Sequence, residues 1–300
     1  MFSYDSQRTG SEKSFLNVEL SMMGYGAAQD LQKNIVAARR EKIINNDVVL
    51  WLEHSPVFTY GRHGGIDNLQ MDPLLLEKRG IFVEQSERGG NITFHGPGQL
   101  VVYPIIDLEE ARLDVPGYVR MLEEVMILTA EDFNVEIQRR QGSPGVWVGN
   151  RKIGSIGIAI QKGISFHGMA LNVNLDLTPF EWIHPCGLTN ITMSSLEKEL
   201  SKEVELEKVR ERAQAHMASI FEKDFVMISN EEVLKTEEHG LSSPLIGTVV
   251  HEKVDIELLN HRPVAHNRIM REWRNQTQSP KTRRKLQCRQ TLIDGNITGR

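Results

Sequence analysis

Three short segments hold polar and nucleophilic side chains among glycines and prolines that suit no regular element. The first runs Arg88-Gly89-Gly90-Asn91-Ile92-Thr93-Phe94-His95-Gly96-Pro97-Gly98-Gln99. Glycine accepts positive φ and lets a ligand approach the main chain, so such a run can cradle a substrate, with Arg88, Thr93 and His95 as polar heads. A tight turn between two strands would read the same way. No Gly-Lys-Ser/Thr follows, and strands rather than a helix come next, so neither nucleotide-loop pattern is met. The second segment is Gly149 to Gly157, in which Gly149-Asn150 signals a hairpin turn and Lys152 falls near a strand start. A lysine there is either a solvated edge residue or an acid/base group. The third joins His167-Gly168-Met169-Ala170 to Ile183-His184-Pro185-Cys186-Gly187. A cysteine between proline and glycine sits on a turn, where a thiol can react, although most lone cysteines are small buried hydrophobes.

The elements that must hold these segments follow from apolar spacing. Asn17–Met22 alternates as a strand, and Leu31, Ile35 and Ala38 recur at helical spacing within 26–42. Asp47–Leu52 is a near-continuous apolar run that suits a buried strand. Further strands are expected at 57–60, 99–106, 135–138, 145–148, 152–161, 164–175 and 225–228. Helices are expected around Val119, Leu122 and Met126, and along Leu206, Val209, Ala213, Met217 and Ile220. Strands outnumber helices without alternating strictly with them. The pattern predicts an α+β fold, a mixed β-sheet with helices packed against it, mainly on one face.

Composition sets outer bounds. Of 300 residues, 40% are hydrophobic and 25% charged, the balance of a globular protein. No stretch reaches the roughly 18 apolar residues of a membrane span. The first residues lack the apolar centre of a secretory signal, and Asp5 and Glu12 argue against a transit peptide. Two cysteines, Cys186 and Cys288, cannot organise a disulfide framework, which points to a reducing cytoplasm. The net charge of −5 is uneven: His261–Arg300 holds about ten Lys/Arg against about two Asp/Glu, leaving about −13 elsewhere. Such a tail is either a disordered end or a steering arm for acidic partners.

Taken together, the motifs resemble the lipoate-protein ligase B family, the octanoyl-acyl-carrier-protein:protein octanoyltransferases. That family's run RGGxxT(Y/F)HGPGQ reads RGGNITFHGPGQ here, and its KI-x-S-(I/L)-G segment reads Lys152 to Gly157. Its HG(L/M)ALNVN-x-DL stretch is matched from His167 to Leu177, and its NPCG variant by His184-Pro185-Cys186-Gly187. Phe94, Met169 and His184 stand where Tyr, Leu and Asn are more usual, and none removes a reacting group. The resemblance covers roughly Asn17 to Ile228.

It implies a sheet of the biotin/lipoate protein ligase catalytic-domain type. It also implies transfer of octanoyl from an acyl carrier protein to a lysine of lipoyl domains. Those domains belong to 2-oxoacid dehydrogenase complexes and the glycine cleavage H protein. Cys186 is the implied nucleophile and Lys152 its acid/base partner. Substrate would be bound by Arg88, Gly89, Gly90, Asn91, Ile92, Thr93, Phe94 and His95, with Ser155, Ile156 and Gly157, and Gly168, Met169 and Ala170. His95 and His167 would shape the site or donate hydrogen bonds. No cofactor, metal, nucleic acid or membrane is implied.

An ammonium about 4 Å from a thiolate, at an effective dielectric of about 20, stabilises it by up to roughly 4 kcal/mol before desolvation. Burying six methylenes of the acyl chain contributes roughly 5 kcal/mol. The three segments should converge on one cleft, with Lys152 and Cys186 within hydrogen-bonding range. Residues 1–16 are expected to form a flexible N-terminus, 17–229 the catalytic domain, and 230–300 a weakly structured extension, basic and disordered from about 261. Arg39, Arg40, Lys42 and Arg151 are expected to offer acidic carrier protein a basic patch. The alternatives are an ATP-dependent lipoate or biotin ligase of the same fold, and a non-catalytic protein that docks partners.

Overall fold

The run Val48–Leu52 contains no polar residue, so it is stable only where both of its faces are covered. The computed structural model, which describes residues 14–62, 64, 66–184 and 191–228, puts it in the middle of a large sheet. The strands are β1 (Phe15–Glu19), β2 (Val48–Leu52), β3 (Val57–Tyr60), β4 (Phe82–Gln85), β5 (Ile92–His95) and β6 (Gln99–Ile105). They continue as β7 (Gln138–Arg139), β8 (Val146–Val148), β9 (Arg151–Gln161), β10 (Ile164–Asn172), β11 (Thr192–Met193) and β12 (Phe225–Met227). The helices are α1 (Tyr25–Arg40), α2 (Pro73–Glu77), α3 (Val115–Glu131), α4 (Leu196–Leu200) and α5 (Leu206–Phe221).

Among the described residues the main sheet runs β12-β1-β2-β6-β10-β9-β8-β7, with β11 added against β9. β12, β1 and β2 are parallel, the strands from β2 to β7 antiparallel, and β11 parallel to β9. The sheet is therefore mixed, as the uneven spacing of strands and helices predicts.

Side chains on a strand alternate between faces, and here the alternation divides the core in two. Val49, Trp51, Leu100, Val102, Met169 and Leu171 pack with α3 and α5. Their neighbours Val48, Leu50, Leu52, Val101, Tyr103 and Ala170 pack with Ala28, Leu31, Ile35 and Val36 of α1. Helices thus cover both faces, which corrects the expectation of one. The central strands are apolar on both sides and need two covers. A second sheet, β4-β3-β5, holds a smaller core of Phe58, Ile92, Phe94, Leu175, Phe180 and Ile183. Of its strands only β3 was expected from sequence; β4 and β5 are too short for their period to be read. The expected strand at 135–138 forms only from Gln138, because Val135 and Ile137 turn into the main core instead.

Helix starts are set by local chemistry. Asp114 accepts from Gly117 N–H at 2.8 Å and Asp72 from Leu74 N–H at 2.9 Å, each ahead of a proline in the first turn. One buried carboxylate joins its own segment to three others. Asp47 accepts from the Arg39 guanidinium at 2.9 Å, from Asp107 N–H at 3.1 Å and from Lys223 Nζ at 2.6 Å. Arg39 also reaches Glu110 at 2.9 Å. The end of α1, the entry to β2 and the segments after β6 and α5 therefore meet at Asp47.

Arg39 and Asp47 are only 4% and 3% exposed, so removing one partner strands charge in a dry place. Asp47→Ala should lose about 3–5 kcal/mol of unfolding free energy, measured by denaturant titration of the full chain. A loss under about 1 kcal/mol would show that the cluster is not a structural joint.

Candidate active site

Lys152 lies at the second position of β9, paired with Trp147 of β8 across the expected hairpin and with Met193 of β11. It is 5% exposed and is therefore no solvated edge lysine. Its ammonium lies 5.5 Å from the centre of the Trp147 ring, a cation–π distance. Its carbonyl accepts from Ser194 N–H at 2.8 Å. Arg151 beside it is bound through two nitrogens to Glu199, at 2.8 and 2.7 Å, and Glu199 also accepts from the Ser194 hydroxyl. The Arg151 hydrogen bond holds Glu199 below the usual carboxylate range.

The substrate-binding segments expected from sequence meet around the β9–β10 ladder. Ser155 pairs with Ala170, Ile156 with Met169 and Gly157 with Gly168. The Arg88–Gly89 turn lies against this ladder, its Gly89 N–H donating to Ile158 O at 2.8 Å. A Cβ on Gly157 would stand 2.9 Å from Arg88 Cδ and 3.3 Å from Gly89 O, so only glycine permits this approach. Arg88 is buried and turned inward. It donates to Thr59 O at 2.7 Å, to Thr59 Oγ1 at 2.8 Å and to Gly89 O at 3.0 Å.

Asn91 accepts from Ile92 N–H at 2.6 Å and from Asn68 Nδ2 at 2.8 Å. Asn68 O in turn takes His184 N–H at 2.9 Å. Thr93 pairs with Thr59. Ile92 and Phe94 put their side chains into the small core and Met169 into the main one, so those side chains are scaffold. Cys186 lies outside the described residues, in 185–190. The ends that flank this stretch are described: His184 bonds to Asn68, and Thr192 and Met193 pair with Arg151 and Lys152.

Two buried networks hold the segments in register. In the first, Asn172 Nδ2 donates to Ser194 O at 2.9 Å, which leaves Asn172 Oδ1 to accept from Gln99 Nε2 at 2.8 Å. Gln99 Oε1 must then accept from His95 Nδ1 at 2.7 Å, which fixes the His95 tautomer. In the second, His54 Nδ1 faces Met23 O at 3.0 Å and must donate, so Nε2 accepts from Tyr103 OH at 2.7 Å. Tyr25 gives its hydroxyl to Ser86 Oγ at 2.6 Å and lies parallel to His95 and His167, with ring centres 6.1 and 6.3 Å away. Neither ring nitrogen of His167 has a hydrogen-bond partner.

Burial holds His54 down at about 4 and His167 at about 3, and pushes His95 well below its usual value. Burial likewise pushes Tyr25 up to about 12. These groups are neutral packing and hydrogen-bonding elements at pH 7. Sequence reading missed Tyr25, His54, Tyr103, Trp147 and Ser194. Tyr103 and Trp147 carried a signal, as polar aromatics in otherwise apolar strands; the other three carried none.

Of the four cations expected to form a basic patch, Lys42 is exposed and the other three have acidic partners. Arg39 is committed to Asp47 and Glu110, Arg40 to Glu41 and Arg151 to Glu199. Among the described residues no group of three or more His, Cys, Asp and Glu could hold a metal ion, and no helix is long and apolar enough to cross a membrane.

Residues 25–218 match the family model for the lipoyl protein ligase A/B catalytic domain. An octanoyltransferase of Desulfotalea psychrophila is 46% identical over 210 residues, spanning 69% of this chain and 94% of the relative. The chain belongs to the lipoyl protein ligase A/B family, among its octanoyltransferases. An octanoyltransferase of Syntrophobacter fumaroxidans is 41% identical over 213 residues, 71% of this chain and 92% of the relative. Among solved structures, lipoate-protein ligase A bound with ATP superposes with a TM-score of 0.59 at 16% identity, over 76% of this chain and 93% of that one. A bi-partite lipoate protein ligase of Thermoplasma acidophilum gives 0.59 at 16%, over 81% and 99%. These likenesses establish the fold that the family resemblance implied.

The buried histidines make stability depend on pH. The unfolded chain takes up these protons near pH 6.5, whereas the native state holds His54 neutral down to about 4. Their contribution is complete above about pH 6.5 and is lost as pH falls below it, by roughly 1.4 kcal/mol per unit for each histidine. Unfolding free energies from pH 7 to 4.5 should fall less steeply in His167→Asn, a residue that tolerates the positive φ of 57° there. An unchanged slope would remove His167 from the account.

Proposed function

We propose that this octanoyltransferase carries the acyl group on Cys186 and uses Lys152 as the acid/base group of both half-reactions. The donor is octanoyl-acyl carrier protein. The acceptors are lysines of lipoyl domains in 2-oxoacid dehydrogenase complexes and of the glycine cleavage H protein. The observation that carries this reading is a buried lysine whose strand partner, Met193, closes the segment holding Cys186. A buried ammonium stabilises a nearby thiolate and is stabilised by it, which supports Lys152 as the partner of Cys186.

In the first half-reaction the Cys186 thiolate attacks the thioester carbonyl. The carrier's sulfur leaves, taking a proton from Lys152. In the second, the acceptor amine attacks the enzyme thioester and gives its proton to the now neutral Lys152, and the Cys186 thiolate departs as the amide forms. Thioester exchange is nearly isoenergetic and aminolysis runs downhill, so no nucleotide is consumed. ATP–pyrophosphate exchange, the mark of an adenylating ligase, is expected to be absent. We assign the reaction to residues 17–229, read 230–300 as an extension outside it, and place it in the cytoplasm, where the thiol stays reduced.

Intact-mass analysis after incubation with octanoyl-carrier protein should find one hydroxylamine-labile octanoyl group, on the peptide containing Cys186. Cys186→Ser should abolish turnover, since an alkoxide is far harder to form than a thiolate. An adduct on Cys288 would overturn the assignment. Lys152→Arg should slow transfer to the acceptor by on the order of a hundredfold or more, because a guanidinium cannot take the amine proton. Near-normal aminolysis in that variant would refute the base role.

A further inference from the structure

The wall beside Lys152 is tied down by one carboxylate of α3. Glu123 is buried, and its two oxygens serve the two ends of a single segment. Oε1 accepts from Gly145 N–H at 3.0 Å and Oε2 from Arg139 Nε at 3.1 Å. Arg139 is further bound by Glu124 at 2.5 Å and by Arg120 O at 2.9 Å, so the segment's start is held to α3 three times over. Among the described residues its far end, Gly145, has one side-chain tie, the hydrogen bond to Glu123.

That end presses on the reacting lysine. Gly145 has a φ of +112°, and a Cβ there would stand 2.4 Å from Gly154 O and 2.9 Å from Lys152 Cε. Backbone at this position therefore packs against the last methylenes of Lys152, leaving space for nothing larger than hydrogen. Two residues on comes Trp147, whose ring faces the ammonium. A lysine side chain has four rotatable bonds and loses up to about 2 kcal/mol of rotamer entropy when held. Something rigid must supply its walls, and Gly145 supplies one.

We propose that Glu123 is a positioning residue for the transfer, pinning Gly145 so that Lys152 is kept in one rotamer and shielded from water. The proposal rests on the acid/base role of Lys152 given above. It separates the two oxygens of Glu123: the Gly145 contact matters to Lys152, while the Arg139 contact matters to the loop's attachment alone.

The test uses the full chain and two readouts. Acetic anhydride labelling of Lys152 at fixed pH, followed by peptide mass spectrometry, reads the shielding without any turnover. Steady-state transfer from octanoyl-carrier protein reads the consequence. In Glu123→Ala, Lys152 should label several-fold faster. Its kcat should fall on the order of tenfold to a hundredfold, while the KM for carrier protein changes by less than about twofold, as expected of misplacement near the reacting atoms. Glu123→Gln, whose amide oxygen still accepts from Gly145, should stay close to the native protein in both. Arg139→Ala should leave Lys152 labelling unchanged.

Should Glu123→Ala fail to fold, Gly145→Ala asks the same question with Glu123 intact, since its methyl group must displace the wall. It should speed labelling and lower kcat likewise. Unchanged labelling in Glu123→Ala or Gly145→Ala overturns the pin, as does a Glu123→Gln variant as impaired as the alanine one. Undiminished transfer by Lys152→Met would instead bring down the acid/base reading itself, whatever the labelling shows.

Discussion

A single directed chain of hydrogen bonds decides how the functional segments stand to one another. Its direction is set by the carbonyl of Ser194, which can only accept. From it Asn172, Gln99 and His95 each have one possible amide or ring orientation. Ser194 also donates its N–H to Lys152 O. The HGPGQ turn, the Asn172 end of β10 and the Lys152 strand are therefore parts of one buried polar network. In a low-dielectric interior an unsatisfied member costs more than its bond is worth when made, so such a network permits one arrangement and penalises the rest.

The surrounding structure can be understood as what keeps that network dry and rigid. Two-sided burial of β2, β6 and β10 fixes the strand positions. The Asp47 cluster ties the α1 side of the sheet to the segment after α5. The small second sheet carries the Arg88–Gly90 turn onto the ladder. Glycines mark the places where backbones touch: Gly157 under Arg88, and Gly145 against Lys152. The histidines add no charge at neutral pH. Their burial makes them shape-defining groups whose cost appears only in acid.

Much of this was legible in the sequence where a local signal was strong. Val48–Leu52 announces a doubly buried strand by its lack of any polar residue. The Gly149-Asn150 pair marks the hairpin that sets Lys152 on β9. The four motifs together name the family, and the comparisons agree. What stayed hidden is non-local. The burial of Lys152 is not evident from its own segment, because the wall at Gly145 is held by Glu123 on α3. Ile92 and Phe94 look like substrate contacts inside a functional motif, yet their side chains serve the small core. Arg39 and Arg151 look like unpaired cations, and their acidic partners Asp47 and Glu199 lie 8 and 48 residues away along the chain. The basic tail and Cys186 lie outside the described residues, and their roles rest on the chemical argument.

The central claim is that this frame delivers a lysine ammonium to the thiol of Cys186. Its most direct measurement is the rate of iodoacetamide alkylation at Cys186 as a function of pH, in the native protein and in Lys152→Met. The account predicts that alkylation in the native protein reaches half its maximal rate at a pH well below the ordinary thiol value of about 8.5. It also predicts that this midpoint moves upward by at least about one unit when Lys152 is replaced. Coincident profiles for the two proteins would contradict it.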